Sequence, residues 1–215
     1  MSIVVLCDFD GTITRIDTAE FVLSKFAKGN WQLLNDQFEN GEITLEDCLK
    51  KQFMLVNASK KEILNELENV VTSRSNFGKL VGHCKKNRIP LIIVSAGLDF
   101  VIDYFLKLNG WQDSVETYTA KTKWTTSGIR LIFPKPFDKT SVNFKHDLVK
   151  QCKNQDKKVI YIGDGSGDYS AAKDSDTLFV IKDSKLEKLC EKHGVHHKSV
   201  TDFLEVITAM PTQPS

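Results

Sequence analysis

Four short runs of uninterrupted apolar residues punctuate the chain, at 3–7, 90–94, 159–162 and 178–181. None alternates apolar with polar, so each reads as a strand covered on both faces, the habit of parallel sheets. Helical spacing fills the gaps between them. A helix over 77–87 precedes the second run, with Lys85, Lys86 and Arg88 suited to its C-terminus. A helix over 100–108 follows that run and stops at Gly110. Another over 144–153 leads into the third run, and one over 184–193 follows the fourth and stops at Gly194. This alternation predicts an α/β fold, a doubly wound parallel sheet.

Two stretches break the rhythm. Residues 15–76 hold three or four amphipathic helices and no convincing strand. The first runs over 18–28, with Phe21, Val22, Lys25 and Phe26 at helical spacing. Thr44 with Asp47 and Ser59 with Glu62 mark two further helix starts in capping-box style. A helical block inserted after the first strand is a candidate lid over the strand ends. Residues 118–126 and 129–133 flank Ser127-Gly128 and predict a small antiparallel β-hairpin. The expected organisation is a catalytic core from 1–14 and 77–210, a helical cap over 15–76, and a disordered Pro/Thr/Ser-rich tail over 211–215.

Composition narrows the function classes. Twenty-nine Lys plus Arg balance twenty-eight Asp plus Glu among 215 residues. That balance disfavours a nucleic-acid binder and a polyacidic tail. Five dispersed cysteines without a C-x-x-C pair read as reduced thiols. No apolar stretch reaches the length of a membrane span. The expectation is a soluble, cytoplasmic protein, a monomer or homodimer, with no nucleic-acid or membrane partner.

The chemistry sits where the apolar runs end. In an open α/β sheet, ligands bind beyond the carboxyl ends of the strands. Asp8 and Asp10 follow the first run, Ser95-Ala96-Gly97 the second, and Gly163-Asp164-Gly165-Ser166-Gly167-Asp168 the third. Lys145 opens the helix before the third run. Four carboxylates gathered at one sheet edge repel: unit charges ~4 Å apart cost roughly 4 kcal/mol at an effective dielectric near 20. Either one acid stays protonated or a cation sits among them. An all-oxygen, carboxylate-rich set suits Mg²⁺, which often binds together with a phosphate.

Roles separate on that basis. Asp8 could attack phosphorus in line. Asp10, two residues on, faces the same side and could act as acid and base. Ser95 and backbone N–H groups at Gly11, Thr12, Ala96 and Gly97 could hold phosphoryl oxygens, with Lys145 offsetting their charge. Asp8, Asp10, Asp164 and Asp168 form the metal set, with Asp168 either ligating or orienting the rest. The loop from 163 to 168 fits neither the EF-hand spacing nor G-x-G-x-x-G. His193, His196 and His197 read as a surface turn and His146 as exposed. Trp31, Phe53 and Met54 read as cap core before they read as a substrate face. Asp17 and Glu20 either cap the first inserted helix or touch substrate.

The segments "DFDGT", "IIVSAG", "FKHDLVK" and "GDGSGD" stand in the order of the D-x-D-x-T, Ser/Thr, Lys and G-D-x-x-x-D motifs. The chain resembles the haloacid dehalogenase superfamily of aspartyl phosphatases over about residues 3–207. The resemblance implies Asp8 as nucleophile, Asp10 as acid/base and ligand through its backbone carbonyl, and a small phosphorylated metabolite as substrate. The insert is similar to the helical cap of the subclass that includes phosphoserine phosphatase. "KFAKGNWQLLNDQFENGEIT" and "IRLIFP" are similar to the branch acting on the methionine-salvage ester 2-hydroxy-3-keto-5-methylthiopentenyl-1-phosphate. Val142-Asn143-Phe144 departs from the Cys-Gly often seen there, and Asp17 stands where phosphoserine phosphatases place a Glu. Three readings stay open: that salvage phosphatase, a phosphoserine phosphatase, and a silent phosphate-binding protein of the same fold.

Overall fold

The computed structural model describes residues 2–68 and 70–211. Six parallel strands form the central sheet: β1 (Ile3–Cys7), β2 (Leu91–Ser95), β3 (Glu116–Thr119), β6 (Lys158–Gly163), β7 (Thr177–Ile181) and β8 (Lys198–Val200). Their spatial order is β3-β2-β1-β6-β7-β8. The chain winds outward from β1 in one direction through β2 and β3, and from β6 in the other. The switch therefore falls between β1 and β6, and a crevice opens at their carboxyl ends.

β1 is buried at all five positions, so both of its faces pack. Ile3, Val5 and Cys7 join one apolar cluster with helices α5 (Phe77–Lys86), α6 (Asp99–Leu108) and α10 (Phe203–Ala209). Val4 and Leu6 join a second cluster with α7 (Phe144–Lys153), α8 (Tyr169–Asp174) and α9 (Lys185–His193). The result is a three-layer sandwich whose middle strand is apolar on every residue, as its sequence implies.

Four helices follow β1 before α5: α1 (Thr18–Phe26), α2 (Gln32–Glu39), α3 (Leu45–Phe53) and α4 (Lys60–Leu67). Their starts carry side-chain caps where the residue pattern placed them. Thr44 Oγ1 accepts from Asp47 N, and Ser59 with Glu62 forms a complete capping box. α1 is shorter than the expected 18–28, because the chain turns at Ala27 to bridge Val56. The two connections to the core run side by side, with Thr14 bridging Ser73 and Arg15 N donating to Thr72 O.

The hairpin expected from 118 differs in its first half. Glu116–Thr119 leaves it to pair with β2 in the main sheet, and only β4 (Lys121–Thr125) and β5 (Gly128–Ile132) form the antiparallel ribbon. β3 and β8 are edge strands with mostly exposed side chains, so they lack the apolar runs that mark the inner strands. Gly128 has φ +139 and packs its missing Cβ against the Met54 carbonyl, so the ribbon lies directly on the inserted helices. Trp124 Nε1 adds a 3.1 Å bond to Ala58 O. Of the expected tail, residues 212–215 lie outside the described residues.

Candidate active site

Register brings the chemistry together. Cys7 pairs with Ile93 on one side and Ile162 on the other, so the residues following β1, β2 and β6 emerge at one level. Asp8 N donates to Ile162 O at 2.9 Å, which fixes the first carboxylate at the switch point. Lys145, on the first turn of α7, reaches in from the side. Its Nζ lies 2.7 Å from Asp8 Oδ1 and 2.7 Å from Asp168 Oδ1, and all three groups are buried.

Asp168 is fully committed. Its Oδ1 also accepts from Tyr161 Oη at 2.7 Å, while Oδ2 accepts from Asp164 N at 3.2 Å and Gly165 N at 3.0 Å. With four donors on two oxygens, this carboxylate pins Lys145 and shapes the loop that carries Asp164. Thr12 Oγ1 holds Asp164 Oδ1 at 2.6 Å. Gly11 has φ +75, and a Cβ there would collide with Asp164 Oδ2, so only glycine lets the two loops close.

Asp10 faces the same crevice from two residues on. Its Oδ1 accepts from the backbone and hydroxyl of Thr18 at the start of α1, and Ser95 Oγ donates to Oδ2 at 3.4 Å. Gly97 N donates to Ser95 Oγ at 3.0 Å, which orients that hydroxyl. Asp17 caps α1 through Glu20 N at 2.7 Å, and Asp17 and Glu20 both line the cleft mouth. The Asp17 and Glu20 positions thus satisfy the capping reading while remaining within reach of a ligand.

Electrostatics follow from crowding. Burial and the neighbouring Asp168 raise the Asp8 carboxyl well above its ordinary value, against the pull of Lys145. Burial and the Asp17 charge push Asp10 up to about 7. Burial and Asp168 push Asp164 up to about 7 as well. Burial opposes the Lys145 charge, but Asp168 and Asp8 outweigh it and raise its pKa. Carboxylate oxygens of Asp8, Asp164 and Asp168 lie within 4.8 Å of one another. Ionised together beside Lys145, they carry a net charge of two negatives, which a divalent cation matches. With Asp168 already committed to its four donors, the free oxygens of Asp8 and Asp164 fit a hard, oxygen-seeking metal.

The cleft encloses about 330 Å³ between these loops and the inserted helices. Several lining residues were not singled out by the sequence pattern: Asn35, Glu39 and Gln52 from the insert, and Lys185 from α9. Glu39 Oε1 accepts from Ser166 Oγ at 2.8 Å and Lys185 Nζ at 3.1 Å, bridging insert and core. Glu46 Oε1 accepts from Phe144 N at 2.7 Å, at the N-terminus of the helix that presents Lys145. Arg74 holds the loop after β1 from behind, donating to Gly11 O at 2.7 Å and Thr12 O at 2.9 Å. These contacts are long-range pairs of ordinary surface residue types, which no local spacing signals.

Trp31 lines the cleft, Phe53 is core, and Met54 faces the groove under the hairpin instead. His146 corrects its expectation: it is buried, 7% exposed, where Val142 N donates to Nδ1 at 3.1 Å and Nε2 donates to Asp174 Oδ2 at 2.8 Å. Its helix position faces α8, which neighbouring residues in sequence do not reveal. His197 Nδ1 lies 2.9 Å from its own turn's Val195 O, consistent with a local turn.

The model of the haloacid dehalogenase-like hydrolase family matches residues 5–173. A 2-hydroxy-3-keto-5-methylthiopentenyl-1-phosphate phosphatase from Geobacillus kaustophilus is 30% identical over 213 residues, covering 97% of this chain and 95% of that one. The bifunctional enzyme MtnB/MtnX from Bacillus licheniformis is 31% identical over 211 residues, 94% of this chain but 48% of that longer protein. Among solved structures, a substrate-bound phosphoserine phosphatase superposes with a TM-score of 0.71 over 98% of this chain and 99% of that one, at 13% identity. A phospho-aspartyl intermediate analogue of phosphoserine phosphatase matches equally, with a TM-score of 0.71 at 14% identity and the same coverage. At those identities the superpositions speak for the fold. The family match and the full-length relatives carry the further step: this chain belongs to the haloacid dehalogenase-like hydrolases and is a phosphatase.

Proposed function

We propose that the protein is an Mg²⁺-dependent phosphomonoesterase acting on a small, neutral-tailed phosphate ester, with the methionine-salvage ester 2-hydroxy-3-keto-5-methylthiopentenyl-1-phosphate as the preferred substrate. The observation that carries the reading is the convergence of Asp8, Asp10, Ser95, Lys145 and Asp164 on one crevice, roofed by the helices of residues 15–76 acting as a cap. The core is then 1–14 with 77–210. In the first step a carboxylate oxygen of Asp8 attacks phosphorus and the P–O bond to the alcohol breaks. Protonated Asp10 gives the departing oxygen its proton. In the second step Asp10 takes a proton from water as that water attacks phosphorus, and inorganic phosphate leaves Asp8. An Asp10 pKa near 7 suits both tasks.

Ser95, Ala96 and Gly97 line the place for phosphoryl oxygens; Gly11 corrects its expectation, because its N–H is already spent on Ile16 O at 3.2 Å and Thr14 Oγ1 at 3.3 Å. Lys145 neutralises charge there while Asp168 holds it in position. Asp8, Asp164 and the Asp10 carbonyl would hold Mg²⁺, which supplies electrostatic relief for the phosphoryl oxygens when bound. Asp168, its lone pairs already taken, is better suited to orienting this set than to joining it.

Two observations favour the salvage ester over phosphoserine. Relatives of matching length carry that ester in their names. On the cap side of the cleft, no lysine or arginine appears among the described lining residues; Leu23, Trp31, Phe38 and Leu49 face the space with Asn35 and Gln52. Lys185, which reaches that side from the core, is already held by Glu39 at 3.1 Å, so a substrate carboxylate would have to compete for it, whereas a thioether chain would find apolar walls. Five free, buried cysteines suit a reducing, cytoplasmic setting. Phosphate release is measured from both esters with Mg²⁺, in wild type and Asp8→Asn. Turnover of the salvage ester, lost in the variant, is expected. Preference for phosphoserine, or release that survives Asp8→Asn, refutes the assignment.

A further inference from the structure

The inserted helices form one wall of the cleft, and one amide there is set up with a donor to spare. Gln52, on α3, is 1% exposed. Its Nε2 donates to the backbone carbonyl of Trp31 at 3.1 Å and to Asn35 Oδ1 at 2.8 Å. The Trp31 carbonyl can only accept, so it forces the Gln52 amide to present nitrogen on that side. Gln52 in turn forces Asn35 to present its oxygen inward. The orientation of both amides therefore follows from one main-chain carbonyl. Asn35 Nδ2 is left without a hydrogen-bond partner among the described residues, and Asn35 lines the cleft.

We propose that Asn35 is the specificity-determining donor for the leaving group: its Nδ2 hydrogen-bonds a carbonyl or hydroxyl oxygen on the carbon chain beyond the ester, with Gln52 as the residue that positions it. This rests on the phosphatase reading and adds to it what distinguishes one ester from another. Asn35 is half-buried, so a bound ester would shield its donor from water; an ester with an acceptor pairs it, and one without leaves it unpaired. The apolar walls alone discriminate weakly between chains of similar size.

The test compares two commercially simple esters with Mg²⁺ present. Phenyl phosphate has no acceptor beyond the ester oxygen; dihydroxyacetone phosphate has a ketone one carbon further. The quantity read is the ratio of their kcat/KM values. Asn35→Asp keeps the oxygen that Gln52 needs and removes the donor; Asn35→Ala removes both. Each is expected to lower the ratio for the ketone ester about tenfold, chiefly through KM. Gln52→Met, which frees Asn35 to rotate, is expected to lower it less. A ratio within twofold of wild type in both Asn35 variants overturns the proposal. So does a wild type that hydrolyses phenyl phosphate but not the ketone ester. A wild type that releases no phosphate from either of these esters or from the salvage ester refutes the phosphatase reading instead.

Discussion

Lys145 is a buried cation held directly between two carboxylates of the cluster, and replacing it with Met tests the electrostatic account directly. Met nearly matches the lysine stem in volume, so packing changes little. The charge change is large. Lys145 makes two contacts of 2.7 Å, to Asp8 and Asp168, and these side chains are 5%, 8% and 1% exposed. Removing one partner of a buried pair costs about 3–5 kcal/mol, because the stranded charge must be neutralised or rehydrated. For a chain of this length each kcal/mol moves Tm by about 2–4 °C, so Lys145→Met in EDTA is expected to melt about 6–20 °C below wild type. Adding Asp8→Asn removes one stranded carboxylate and is expected to recover part of that loss, which a double-mutant cycle reads as coupling. Millimolar Mg²⁺ is expected to recover part of it too. Thermal unfolding followed by circular dichroism decides the matter. A Lys145→Met variant that melts with wild type in EDTA, or one that Asp8→Asn destabilises further, refutes the idea that crowded carboxylates here need a cation.

Two more expectations follow from the same geometry. Asp164 is pushed up to about 7 from 3.8, so the folded protein holds a proton that the unfolded chain releases across that window. Fewer protons on the unfolded state mean that stability falls as pH rises from about 4 to about 7. In EDTA the drop in Tm between pH 5 and pH 7.5 is therefore expected to be smaller in Asp164→Asn than in wild type; an equal or larger drop counts against the raised value. Glu46→Ala removes the inserted helices' bond to Phe144 N. A hydrogen bond to a charged acceptor contributes about 1.5–3 kcal/mol, so Tm is expected to fall by several degrees, with Glu46→Gln intermediate. An unchanged Tm in Glu46→Ala would show that insert and core are not joined there.

The core and the cluster at its edge were legible because both rest on local rules. A strand covered on two faces must be apolar throughout, so β1, β2, β6 and β7 announce themselves as runs. Residues directly after such runs then share one edge, which placed Asp8, Ser95 and Asp164 together before any geometry. β3 and β8 were missed because an edge strand buries too little to need such a run. Three residues of Lys-Ser-Val beside a histidine-rich turn carry no signal of their own. The burial of His146 is silent in the sequence for a related reason: it comes from α8 and the Asp174 side chain, twenty-eight residues along the chain. The contacts of Glu39, Glu46 and Arg74 from the inserted segment are of the same kind. They are charged residues of types found on any surface, and their partners are known only once the chain has folded back.

The cluster also explains why its members cannot be judged singly. Asp168 looks in sequence like one more metal ligand, yet its four donors leave it no free lone pair in an ideal direction. Asp164, four residues earlier, keeps one oxygen open because Thr12 takes only the other. The division of labour is thus written in hydrogen bonds. A carboxylate saturated by fixed donors can position a lysine and a loop but has nothing left to offer a cation; one that is half satisfied and pushed up to about 7 gains most from meeting one. The same logic separates Asp8 from Asp10. Asp8 shares a single oxygen with Lys145, which in the proposed mechanism leaves the other for phosphorus. Asp10 has one oxygen held by Thr18 and the other only loosely by Ser95, so it retains a site at which a proton can come and go. Two acids separated by one phenylalanine can thus take different duties in the proposed mechanism because the chain gives each a different number of partners.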